Sequence, residues 1–164
     1  MSRLLVIWFG VGLMRPAPGT WGSAVALGLA LGLHAVGGFP VLALCTAAVT
    51  ALGFWACARE LAGRAGDDPA EIVIDEVAGQ WLAFAIPAAA FWARGDAPDF
   101  LPWPAPLAAF VLFRLFDIWK PWLVGRADAR QDAAGVMLDD LWAGLFAGIG
   151  VIILGILYHV VLFA

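Results

Sequence analysis

The sequence predicts an all-α, polytopic membrane bundle of about five apolar helices, preceded by a short helix that lies in the interface or re-enters it. Three observations point there. Of the 164 residues, 63% are hydrophobic and 13% charged, against roughly 45–50% apolar and 25% charged in soluble domains. The apolar residues fall into runs that reach or approach the roughly 20 residues needed to cross hydrocarbon as a helix. The breaks between runs gather carboxylates at three places, so polarity is concentrated instead of spread over a solvated surface. The length suits one domain, residues 1–164.

Residues 4–13 are apolar but too few to span, so an interfacial or dipping helix is expected. A positive start makes them resemble a signal peptide, but Arg15-Pro-Ala-Pro-Gly-Thr20 follows in place of a small-residue cleavage site, so they are read as mature protein. Pro16 and Pro18 end that helix. The glycine-rich stretch to Ser23 then offers Thr20 or Ser23 as a cap for the next helix, and Gly22 as a place where backbone N–H groups can approach an anion.

Residues 24–36 form the first span, short for a full crossing. Gly37-Gly-Phe-Pro40 turns the chain, and residues 41–58 return antiparallel. Gly28 and Gly32, four apart, offer a surface for close helix approach, and His34 reads as interfacial or packed. Cys45 and Cys57 would stand about 18 Å apart along one helix and cannot pair. The charged exit holds Glu60 and Arg64 at ion-pair spacing, and Asp67-Asp68-Pro69 reads as a turn or cap.

Asp75 and Glu76 head the third span, residues 77–93, with a kink at Pro87. Residues 94–106 form a proline-rich loop flanked by Trp92 and Trp103 as interface anchors. The fourth span, residues 107–118, carries Arg114 within its apolar sequence; a charge there is expected to face the bundle interior. Pro121 stops it after Lys120. A polar loop of residues 125–135 leads to Asp139 and Asp140, which head the last span, residues 141–163, where Gly144 and Gly148 suggest another close contact. Tyr158 and His159 fall about 28 Å from Asp140 along that helix, at the opposite interface.

If the spans alternate, residues 14–23, 59–76 and 119–140 emerge on one side. That side holds Arg15, Arg59, Arg64, Lys120, Arg126 and Arg130 against Arg94 opposite, so it is expected to be cytoplasmic. A net charge of −4 and a single lysine exclude a nucleic-acid surface.

Asp75, Glu76, Asp117, Asp139 and Asp140 would supply hard oxygen ligands from three helix ends, a set suited to Mg²⁺. Arg114 and Lys120 add fixed positive charge, which is what phosphoryl transfer requires. No cysteine is followed six positions later by arginine and no Asp-x-Asp pair occurs, which leaves metal-assisted attack by water as the chemistry that fits, with an aspartyl nucleophile as the open alternative.

Four blocks carry a resemblance: Gly19-Thr-Trp-Gly-Ser23, Asp68-Pro-x-x-Ile-Val-Ile-Asp-Glu-Val-x-Gly79, Phe113-Arg-x-Phe-Asp-Ile-x-Lys-Pro121 and Gly135-Val-Met-Leu-Asp-Asp-x-x-Ala-Gly144. In this order they resemble the signature blocks of the bacterial phosphatidylglycerophosphatase A family. The resemblance implies a Mg²⁺-dependent, multi-pass inner-membrane enzyme that converts phosphatidylglycerophosphate to phosphatidylglycerol. Its matching positions are Thr20, Asp75, Glu76, Asp117, Lys120, Asp139 and Asp140. The combined expectation puts Mg²⁺ on Asp75, Glu76, Asp139 and Asp140. The five carboxylates are the catalytic set, and Thr20, Gly22, Ser23, Arg114 and Lys120 bind the phosphate of a membrane phospholipid. Homo-oligomers are compatible with this pattern. The rivals are a small transporter or ion-binding protein, and another lipid-headgroup phosphotransferase.

Overall fold

The computed structural model describes residues 1–63, 69–130 and 132–163. Helices α1 (Ser2–Val6) and α2 (Pro18–Glu60) flank a 3-10 turn at Trp8–Leu13; α3 (Ile74–Ala93), α4 (Ala105–Trp119), α5 (Leu123–Asp128) and α6 (Ala133–Phe163) complete an all-helical chain. No strand occurs among the described residues. Arg64, Asp67 and Asp68, and with them the expected Glu60–Arg64 pair and aspartate cap, lie outside those residues.

α2 is a hairpin. Gly38 breaks it with φ 63°, ψ −161°, a conformation that a side chain resists. A Cβ there would also sit 2.5 Å from the Pro98 carbonyl oxygen, which accepts the Phe39 N–H at 2.7 Å. On either side of the break, Gly22 packs on Val73 and Gly53 on Ile74 and Met137. In one straight helix those glycines would be about 46 Å apart; both meet the head of α3 because the chain doubles back at Gly38. The turn expected at 37–40 is therefore present.

α3 is the central helix. Trp81 donates its indole N–H to the Ala26 carbonyl at 2.8 Å, and His34 is buried edge-on against the Phe84 ring, so of its two readings the packed one holds. On the other side α3 meets α6 through glycine: a Cβ on Gly144 would lie 2.3 Å from the Gly79 carbonyl oxygen, and one on Gly79 would lie 2.5 Å from that of Asp140. Gly148 faces Ile86 in the same seam. α4 closes the bundle through Ala109 and the fully buried Phe113 against Ala143 and Ala147.

Several expectations change. Gly28 and Gly32 face open space, with nothing within 4 Å of where a Cβ would stand, so this pair is not a packing surface. α2 starts at Pro18, whose ring pre-sets the first helical φ; neither Thr20 nor Ser23 caps it, and Ser23 donates its hydroxyl to the Gly19 carbonyl inside the helix. Asp139 and Asp140 lie in the second turn of α6 instead of at its head. Among the described residues two stretches, Pro18–Glu60 and Ala133–Val161, are long and apolar enough to cross a membrane, not about five. α3 opens with two carboxylates and α4 has only 15 residues. The end of α6 stands bare: Ile153, Leu154, Ile156, Leu157, Tyr158, Val160 and Val161 are all at least half exposed.

Candidate active site

The glycine seam decides where the acids meet. Because Gly79 and Gly144 let α3 and α6 touch backbone to backbone, Asp75 and Glu76, one turn before Gly79, come level with Asp140, one turn before Gly144. α4 adds Asp117 from its last turn. The result is a pocket of about 420 Å³ at one end of the bundle, its walls including Thr20, Asp75, Glu76, Arg114, Asp117, Lys120, Asp139 and Asp140.

Among the described residues two carboxylate triads lie in it, Asp75 with Glu76 and Asp140, and Asp117 with Asp139 and Asp140, each offering oxygens within 4.8 Å of one another. Asp75, Asp139 and Asp140 are buried. Glu76 Oε2 and Asp140 Oδ1 are enclosed without a hydrogen-bond partner, a costly state for a carboxylate oxygen unless something else meets it. An all-oxygen set with unspent lone pairs fits a hard divalent cation.

Cations hold the other side. Arg114 Nη1 lies 2.6 Å from Asp117 Oδ2 and 3.4 Å from the Ser23 hydroxyl. Lys120 Nζ donates to Asp139 Oδ2 at 2.8 Å and pairs also with Asp128. Lys120 reaches inward because it ends α4 in the left-handed region, φ 51°, turning the chain so that the ammonium faces α6.

Burial lifts the Asp75 carboxyl well above the usual range, and the adjacent Glu76 adds to this. Burial likewise raises Glu76 to about 8, with Asp140 and Asp117 pushing the same way and Asp75 and Arg114 opposing. Burial lowers the Lys120 ammonium, but hydrogen bonds to Asp128 and Asp139 outweigh it and hold it above its ordinary value. Without a bound cation the acids repel one another.

The structure brings together every carboxylate singled out from the sequence, with Thr20, Arg114 and Lys120. Ser23 stands behind the wall, touching Arg114. Gly22 does not reach the pocket: it is buried against Val73 and the Glu76 side chain, inside the helix. The open helix end belongs to Gly19 and Thr20 instead, since the Trp21 N–H already bonds the Ala17 carbonyl.

Sequence reasoning missed two residues of the pocket wall. Gly19 leaves room for the Glu76 carboxylate: a Cβ there would lie 2.2 Å from Glu76 Oε1, so the side chain would have to shift. Asp128 shares Lys120; it was visible only as one charge in a polar loop.

Over residues 4–155 the chain matches the family model described as phosphatidylglycerophosphatase A. It is 36% identical to the phosphatidylglycerophosphatase A of Haemophilus influenzae, over 88% of this chain and 83% of that protein. It is 31% identical to the Escherichia coli protein of the same name, over 96% and 82%. A candidate phosphatidylinositol-3-phosphatase of Bacteroides thetaiotaomicron is 36% identical over 85% and 84%. No solved structure matches.

Proposed function

Because this chain belongs to the phosphatidylglycerophosphatase A family, a family of enzymes, we propose that it hydrolyses the phosphate monoester of phosphatidylglycerophosphate. The products are phosphatidylglycerol and inorganic phosphate, and Mg²⁺ is the cofactor. The observation that carries this reading is the meeting of three acid-bearing helix segments in one pocket with Arg114 and Lys120 beside them.

Asp75, Glu76, Asp139 and Asp140 would hold the Mg²⁺, which as a Lewis acid would stabilise charge on the phosphoryl oxygens. Arg114, Lys120 and the N–H groups of Gly19 and Thr20 bind and orient the phosphate. Water attacks phosphorus, a carboxylate of the pocket takes its proton, and that carboxyl passes the proton to the glycerol oxygen as the P–O bond to it breaks.

The setting we propose is the bacterial inner membrane, with the apolar helices α2 and α6 embedded in it and the pocket facing the cytoplasm. The arginine count on the pocket side supports that orientation. A lipid phosphate would then sit at headgroup level while its acyl chains stay beside the helices.

The test is phosphate release by purified protein from phosphatidylglycerophosphate with and without Mg²⁺. Release only with both present is expected; none under any divalent cation sinks the reading. The name of the Bacteroides relative favours a second substrate, a phosphoinositide monoester at the same pocket, and a competition assay separates the two. A translocation path fits less well, because transporters set such groups near the midplane and here they gather at one end.

A further inference from the structure

We infer that the pocket holds two divalent cations at once, bridged by Asp140. The inference deepens the proposed phosphatase reading and rests on its assignment of the pocket as a cation site. Three observations carry it.

The two oxygen triads have a single member in common, Asp140. One ion cannot use both triads without drawing five carboxylates around it, whereas two ions share the bridging residue as two-metal hydrolytic sites do, about 3.5–4 Å apart. Asp140 is built for the role: it is 3% exposed, and its Oδ1 is enclosed with no hydrogen-bond donor.

Charge gives the second argument. Among the described residues seven carboxylates line the pocket against Arg114 and Lys120, and Arg130 pairs with Asp132 at its rim, a formal excess of four negative charges once all seven are ionised, as metal ligands must be. One divalent ion leaves the pocket anionic and repels a phosphate monoester. Two bring it to neutrality, and the cations already present can then hold the substrate.

The third observation orders the sites. Among the described residues no ion pair reaches Asp75, Glu76 or Asp140, whereas Asp117 is held by Arg114 and Asp139 by Lys120. The first triad is open to a cation. The second must have Arg114 and Lys120 displaced or shared, so it fills later and more weakly, and filling it loosens both cations toward the phosphate.

The test is a titration of the full-length, chelator-treated protein in detergent with Mn²⁺, followed by electron paramagnetic resonance without any lipid. Two Mn²⁺ per chain are expected, the second at least tenfold weaker, with a spin-coupled signal appearing as it binds. Asp117→Asn should retain one uncoupled ion, and Asp140→Asn should weaken both by at least tenfold, each with its helix content unchanged by circular dichroism. A single Mn²⁺ per chain in the unmutated protein, or two that never couple, overturns the inference whatever the variants do. The lipid assay is read separately: coupled Mn²⁺ without phosphate release sinks the phosphatase reading alone, and release with one ion sinks this one alone.

Discussion

Replacing Gly144 by alanine should disable the site from a position that touches no substrate. The added methyl would lie 2.3 Å from the Gly79 carbonyl oxygen and 3.1 Å from its Cα, where ordinary contact begins near 3.4 Å. The obstacle is backbone on a helix buried from both sides, so α3 and α6 must part by about 1 Å at their closest point. Overpacking of this kind destabilises by about 1–3 kcal/mol. The larger effect is on alignment: Asp140 would move away from Asp75 and Glu76, and a misplacement of about 1 Å lowers rate by roughly 100-fold. The assay pairs phosphate release with thermal unfolding in one detergent. Gly155→Ala on the same helix is the control, since nothing lies within 4 Å of its methyl, and it should unfold at the same temperature or slightly higher because alanine favours the helix. If Gly144→Ala matches Gly155→Ala in both rate and stability, the seam does not position the acids.

Four further outcomes follow from the same geometry. Asp75→Asn should abolish phosphate release while the melting temperature holds; an active variant removes Asp75 from the catalytic set. Gly19→Ala pushes against the mobile end of Glu76, not backbone, so kcat should fall at least tenfold with little change in stability, read by the two assays above. Lys120→Met removes a charge-assisted bond to phosphate worth about 1.5–3 kcal/mol, so KM should rise about tenfold or more. The metal-free protein should lose stability as pH rises. Glu76 ionises near 8 in the fold against 4.5 ordinarily, so between those values the folded state holds the extra proton and the melting temperature falls. Saturating Mg²⁺ should flatten that slope, and a pH-independent melting temperature without metal would refute the shift.

What the sequence disclosed was chemistry and punctuation. A carboxylate in a 63% hydrophobic chain is too expensive to place idly, so Asp75, Glu76, Asp117, Asp139 and Asp140 stood out and do converge. Gly37-Gly-Phe-Pro40 marked the hairpin tip because glycine and proline constrain the backbone locally. Packing partners were less legible. The spacing of Gly28 and Gly32 is the same as that of Gly144 and Gly148, yet the first pair faces open space and the second meets α3, because a small-residue motif records only that a neighbour could approach. Helix starts were misplaced for a related reason: Pro18 begins α2 and Ala133 begins α6 well before the apolar runs do, so residues read as loop or cap became the inner turns that form the pocket wall.

The naked final turns of α6 have a practical consequence. From Ile153 to Val161 the helix projects for about 13 Å with half or more of each large apolar side chain uncovered. In aqueous buffer such a stalk would adhere to its counterpart on another copy, so purification calls for a micelle or nanodisc whose oily interior sheathes it.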